Sequence, residues 1–289
     1  MVTMLPQLLV NGMINGALYA VLGLSWGIIY SSTGTFHFAH ALVITVAAYA
    51  AVLTTMVAGL PLTLGFLAAI LAAILTAWAI ELGIYRPLRT RGATQFGVFI
   101  GSLGTLIVGE NVILLLFKAN VRRLEGFPEV NLLFGSVGFS SVRAFSLVLC
   151  VIVVVAFWLF MQRTRSGRAI RALSSNPEMA RTVGIDTARI VLLVYALGSA
   201  LAAIAATLIS LDNVAYPTMG VALTFSALIV TFIGGIGSLT GTVAAGLLLG
   251  LTESLALFVM PAGYQVIVSF LVLLIVIILR PRGLFGGSN

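Results

Sequence analysis

The chain has 289 residues, 61% of them hydrophobic and only 8% charged, with a single cysteine and a formal net charge of +7. A soluble domain carries about 25% charged residues, and the mean hydropathy of +1.18 excludes one here. The excess of Lys and Arg falls in loops between apolar runs, so it reads as the positive-inside signal of a membrane protein and not as a nucleic-acid surface.

No Asp, Glu, Lys or Arg precedes Glu81, and the first basic residue is Arg86; only His37 and His40 are titratable at intermediate pH before them. A charge at the bilayer centre costs ~2.5–3.5 kcal/mol, so a stretch of this kind belongs in lipid. Met1–Gly12 lacks the basic start of a cleavable signal, and the first apolar segment is expected to stay in the mature protein. Apolar runs predict helices over residues 6–30, 38–57, 62–84, 96–117, 144–161, 189–211, 220–236, 241–259 and 264–280. No ten-residue alternation recurs, as a barrel would need. The expected fold is all-α: residues 1–289 form one polytopic transmembrane domain of about eight to nine helices. Some of these are broken or re-entrant, and the two halves echo each other.

The echo rests on two interruptions. Ser31-Ser32-Thr33-Gly34-Thr35 breaks an apolar run near the start, and Gly234 to Thr242 does so near the end. Such pairs of broken segments point to a transport path. Gly12, Gly16, Ala20, Gly23 and Gly27 keep to one face of the first helix, where small residues admit another backbone. Gly237/Gly241 and Gly246/Gly250 repeat the pattern late in the chain.

Eleven of the fifteen basic residues follow the third, fifth and ninth segments, which alternation puts on one side. That bias predicts an outside N-terminus and a cytoplasmic C-terminus. Within the loop 163–188, Ile170 and Leu173 share a helical face. Asn176 is a helix cap, Pro177 suits the first helical position, and Glu178 suits the positive end of the dipole. Met179 and Val183 form an apolar i, i+4 pair, and Gly184 supplies a stop. Two short amphipathic helices of this kind serve either as a lipid-surface element or as a docking site for a soluble partner.

Several motifs in order resemble those of the branched-chain amino acid permeases. They are Asn11-Gly12…Gly16…Tyr19-Ala20, Phe38-Ala39-His40, Arg86-Pro87-Leu88-Arg89, Gly167-Arg168-Ala169…Arg171-Ala172, Gly234-Gly235-Ile236-Gly237-Ser238 and Pro281-Arg282-Gly283-Leu284. The loop with Glu178-Met179-Ala180 and Gly184 resembles the coupling segment of ABC importer permeases. The resemblance implies a permease subunit in a bacterial inner membrane, moving branched-chain amino acids or a related small polar solute by alternating access. It implies two cytoplasmic ATP-binding subunits, a second homologous permease and a periplasmic or extracellular substrate-binding protein, with no cofactor. Gly167, Arg168, Arg171, Ala172, Glu178, Ala180 and Gly184 would couple to the ATPase. His37, His40, Glu110, Gly234, Gly235, Ser238 and Glu253 are the candidate pathway residues. Two positions depart from the family pattern, with His37 in place of its Asn and Ala41 in place of its Gly. The family extends to permeases for urea, amides and aromatic acids.

Other chemistry finds little footing. Lys118 is the one lysine, and its surroundings are not those of a phosphate loop, so any ATP hydrolysis belongs to another chain. His37 and His40 at i, i+3 fall short of a zinc ligand set, and no metal is expected. Cys150 reads as a small apolar residue. Glu110 and Glu253 lie in apolar segments, where an acid is a functional candidate or a packing device. A self-sufficient secondary carrier or channel using one of them is the alternative that the residues leave open.

Overall fold

Each apolar run folds as a helix in the computed structural model, which describes residues 4–118, 121–134 and 137–286. In chain order the helices are α1 (Met4–Thr33), α2 (His40–Val52), α3 (Leu62–Ile80), α4 (Arg86–Thr90), α5 (Gln95–Phe117), α6 (Ser141–Arg163), α7 (Arg165–Ser175), α8 (Pro177–Thr182), α9 (Thr187–Asp212), α10 (Met219–Gly234), α11 (Leu239–Ala256) and α12 (Gln265–Leu279). Wider π turns, Leu53–Val57 and Glu81–Tyr85, extend α2 and join α3 to α4. Among the described residues seven helical spans are long and apolar enough to cross a membrane; α10 and α12 are apolar but shorter. Among the described residues the one sheet is a short antiparallel pair of strands, β1 (Asn131–Phe134) and β2 (Val137–Ser140).

Polar side chains set where helices start. Thr94, Ser140, Thr164, Asn176, Asp186 and Ser238 each accept a hydrogen bond from a backbone N–H in the first turn of α5, α6, α7, α8, α9 and α11. Each cap satisfies a donor that the helix itself leaves unpaired.

The small-residue face of α1 is the centre of the packing. A methyl group added at Gly16 would lie 2.8 Å from the Leu247 Cα, and one at Gly250 would lie 2.3 Å from the Gly16 nitrogen. Gly12, Gly16 and Ala20 on α1 and Gly246 and Gly250 on α11 are therefore the two halves of one seam. Further along, Gly23 and Gly27 face α10, where Thr231 donates to the Gly23 carbonyl at 2.9 Å. Helices α2, α3 and α9 complete the core, with Ala69, Ala73 and Ala77 fully buried on α3. By contrast, α5, α6 and α12 turn large apolar side chains outward, among them Leu115, Ile152 and Ile278. With lipid as the solvent, outward apolar side chains are the favourable arrangement.

The two ends of the bundle differ. At the hairpin end Gln7 holds Gly138 by both its N–H (2.8 Å) and its carbonyl (2.7 Å). Arg143 there binds both oxygens of Asp212 at 3.1 Å and the Asn11 side chain at 2.9 Å. At the opposite, arginine-rich end, Ser32 of α1 meets Ser174 of α7 at 3.0 Å. Arg86, Arg89 and Arg181 line one crevice there.

Candidate functional site

The candidate residues fall into separate places, the first being the break after α1. Gly34 ends the helix with φ of +65°, a conformation that glycine tolerates without strain. The chain then turns back alongside α1. His40 Nε2 lies 3.0 Å from the Ser25 hydroxyl, and Trp26 donates to the His37 carbonyl at 3.3 Å. Ser25 stands eight residues before Thr33, so α2 begins ~12 Å inside the end of α1. The segment Gly34–Ala39 is thus re-entrant.

Side chains hold this segment in place. His37 and His40 are both fully buried, with ring centres 5.3 Å apart. His37 Nδ1 is 2.8 Å from the Tyr85 hydroxyl, which donates to Ser102 at 2.8 Å. Ser102 also accepts from the Ala39 N–H at 2.9 Å. With the Tyr85 proton directed to Ser102, His37 is the donor in its bond to Tyr85. Ser25 donates to the Leu22 carbonyl at 2.6 Å, so His40 is the donor to Ser25. A neutral imidazole carries one N–H, which leaves His37 Nε2 and His40 Nδ1 as acceptors without a partner among the described residues. Tyr195 of α9 meets His37 edge-on, with ring centres 5.4 Å apart.

Tyr85, Ser102 and Tyr195 were not singled out by sequence reasoning. Their only signal is a hydroxyl within an apolar run, a feature shared by many other residues of this chain. Glu81, the first charged residue of the chain, is buried and forms an ion pair with Arg89, two turns on. The π turn places Glu81 and Tyr85 at its two ends, and both face inward.

Gly234, Gly235 and Ser238 form the second break, and backbone fills it. Gly234 packs against the start of α11, where an added methyl would lie 2.5 Å from the Thr242 nitrogen. The C-terminal tail lies across this turn, with Leu284 N–H donating to the Ile233 carbonyl at 2.8 Å and Phe285 N–H to Gly234 at 3.2 Å. Two motifs read separately in the sequence, Gly234–Ser238 and Pro281–Leu284, are therefore one contact. The two breaks are neighbours, since a methyl on Gly237 would stand 3.9 Å from Ser31.

Glu253 and Glu110 join neither break directly. Glu253 is buried on α11, accepting from Tyr19 of α1 at 2.7 Å and from Ser269 of α12. Its carboxyl thereby links three helices. Glu110 is half-buried on α5 in a small niche with Ala41, Thr45 and Pro217.

The coupling candidates occupy the surface of the arginine-rich end. Gly167 lets α7 fold back on α6, because a methyl there would lie 2.5 Å from the Met161 carbonyl. Arg171 donates to that same carbonyl and fixes the corner. Ile170 and Leu173 point inward, while Arg168 is exposed and Ala172 half-buried. The Asn176 side chain accepts from Glu178 N–H (3.0 Å) and Met179 N–H (2.9 Å) to start α8. Ala180 is buried beneath α8, and Glu178 is exposed. Met179 and Val183 stand out in the open, 66% and 72% exposed. Gly184, with φ of +83°, has open space around it. Among the described residues no three His, Cys, Asp or Glu side chains come together as a metal site would need.

Comparison with known proteins adds three findings. The profile of a family described as "Branched-chain amino acid transport system / permease component" matches residues 8–277. The chain is 31% identical to the high-affinity branched-chain amino acid transport system permease protein BraD of Pseudomonas aeruginosa, over 97% of this chain and 95% of that one. It is 28% identical, over the same shares, to the corresponding LivH protein of Escherichia coli strain K12. In fold it is similar to PsaBC from Streptococcus pneumoniae, solved in complex with Fab. That likeness has a TM-score of 0.54 over 95% of this chain and 92% of the other, at 14% identity.

Proposed function

The chain belongs to the family of branched-chain amino acid transport permease components, and from that premise we propose that it is the membrane-spanning subunit of an ATP-driven importer. It moves a branched-chain amino acid or a related small polar solute by alternating access. Two cytoplasmic ATP-binding subunits drive it, a second homologous permease completes the pore, and an external binding protein delivers the solute. The arginine-rich end faces the cytoplasm with the C-terminus, and the hairpin end faces outward, in keeping with the distribution of basic residues. Residues 1–289 act as one permease domain.

The observation that carries this reading is the capped helix α8 with its two bare apolar side chains. A pair such as Met179 and Val183, exposed at the tip of an arginine-rich loop, is suited to the cleft of a soluble partner. Beneath it, Gly167 and Arg171 on α7 tie the knob to α6 and so to the bundle, and the Ala172 carbonyl accepts from the Asn176 N–H that precedes α8. The breaks at Gly34–Ala39 and Gly234–Ser238 border the pathway, since non-helical backbone inside a membrane survives only against protein or a cavity. His37 and His40 hold the first of these segments, and Glu110 lies beside the start of α2 that it leads into.

The test is reconstitution. The purified chain alone is expected to show no ATPase activity and no concentrative uptake, whereas vesicles with the co-expressed partner subunits accumulate solute on adding ATP. Accumulation by the chain alone, abolished by a proton uncoupler, would overturn the proposal in favour of a carrier. Gly184→Val forces a β-branched residue to positive φ at the end of α8. We expect it to insert normally but to lose ATPase co-purification and uptake. If both are retained in full, the loop is a membrane-surface element.

A further inference from the structure

Helices α6 and α11 both lie against α1 and leave a slot between them. Two clefts meet in that slot and share Leu24, Trp158, Leu239 and Thr240. The one nearer the arginine-rich end, about 470 Å³, is mixed and holds the polar groups of the slot, with Ser31, Gln162, Arg171, Ser174 and Ser238 in its walls. The other, about 390 Å³, is apolar, walled by Val154, Phe157, Val243 and Leu247. From Val154 to Gln162, and from Leu239 to Leu247, the walls run ~12 Å along each helix axis. The slot opens sideways, because the neighbouring Val151, Val155 and Leu159 are exposed on the face of α6 that meets lipid.

The slot is thus one elongated site that changes character along its length. Arg171 stands in the polar half. Its Nη1 donates to the Met161 carbonyl and to Gln162 at 3.5 Å, and among the described residues no bond engages its Nε and Nη2. A guanidinium has five donors, so three N–H groups are left for a ligand. Trp158 marks the junction of the halves, 43% exposed, where an indole suits the boundary between headgroup and acyl chain.

We infer that this slot binds a single phospholipid with an anionic headgroup. The headgroup oxygens meet Arg171 and the hydroxyls of Ser174 and Ser238, and one acyl chain lies in the trough between Val154 and Leu247. The charge decides against a second copy of the chain as occupant. An apolar helix face laid here would cover Arg171 without supplying a counter-charge, and desolvating an unpaired charge costs several kcal/mol. An anionic lipid supplies both the counter-charge and the apolar chain.

The experiment uses the assembled transporter in nanodiscs containing phosphatidylglycerol or phosphatidylcholine with brominated acyl chains. The signal read is the Trp158 share of the fluorescence quenching, obtained by difference from Trp158→Phe. We expect brominated phosphatidylglycerol to be about fivefold more effective than phosphatidylcholine, the preference that one Arg near a surface supplies. Ala244→Phe, which fills the apolar trough, is expected to reduce both lipids to the same low quenching. Arg171→Gln is expected to abolish the preference while the quenching by phosphatidylcholine stays; this arm decides if Ala244→Phe fails to assemble. Equal quenching by the two lipids in the wild type would reduce the slot to ordinary bilayer contact. No quenching by either would mean that another subunit covers the slot. Either result overturns the inference, and neither depends on transport.

Discussion

The two breaks in the helical bundle solve one problem by opposite means. Gly34–Ala39 must re-enter between helices, and side chains satisfy it: His37 to Tyr85, Tyr85 and Ala39 to Ser102, His40 to Ser25. Gly234–Ser238 turns where backbone crowds Gly234 and Gly235, at 2.5 Å and 2.7 Å from where a Cβ would stand. There the tail residues Leu284 and Phe285 donate their backbone N–H groups to α10, and glycines supply the room. A break held by side chains can be retuned by substitution, whereas one held by backbone contact tolerates no added atom. Both histidines, His37 and His40, fall in or beside the tunable break. The unbroken run Gly234-Gly235-Ile236-Gly237-Ser238 lies in the other.

Substitutions at three positions sharpen or break this contrast. The largest effect is expected for Gly241→Val, whose Cβ would sit 2.1 Å from the Gly234 carbonyl oxygen. No side-chain rotation relieves a clash at the Cβ itself, so the protein should fail to accumulate as a detergent-stable species in size-exclusion chromatography. A wild-type yield with unchanged heat inactivation would show that the second break yields as readily as the first.

An intermediate effect is expected for His37→Leu. It leaves the buried Tyr85 hydroxyl without a donor, a loss of ~1–3 kcal/mol, and uptake should fall with it. His37→Asn keeps a donor and an acceptor and should restore both, with a shift in preference toward branched-chain substrates across a panel of labelled amino acids and small acids. If His37→Leu matches the wild type in heat inactivation and for every substrate, side chains do not hold the first break.

The smallest effect is expected for Ser238→Ala. It removes one cap from α11, worth ~1 kcal/mol, and should leave uptake intact. A cost larger than that of His37→Leu would place the second break under side-chain control as well.

Much of the architecture was legible in the sequence because lipid imposes a simple rule. The nine apolar runs end within a few residues of the helices, and the Asn176–Gly184 loop forms with the cap, the exposed pair and the stop expected of it. The two glycine stripes were legible too, but not that they meet. The histidine site was the least legible. His37 finds Tyr85 at a separation of 48 residues and Ser102 acts at 63 from Ala39, and no local pattern encodes a partner so distant. The widened turn that presents Glu81 and Tyr85 together was equally hidden, since its sequence continues an ordinary apolar helix. The bond pair between Gln7 and Gly138 of β2 spans 131 residues and, like the histidine site, was hidden by that distance.

The seam between α1 and α11 also sets an order of events at the ribosome. Tyr19 and its partner Glu253 are 234 residues apart. At ~5–20 residues per second, roughly 12 to 47 seconds of synthesis separate them. Throughout that interval the first helix sits in the membrane with its glycine groove and the Tyr19 hydroxyl unmatched by the segment built to receive them. Newborn chains are therefore most vulnerable in the period between first insertion and last, when a membrane chaperone or a degrading protease would find its handle on the oldest helix of the protein.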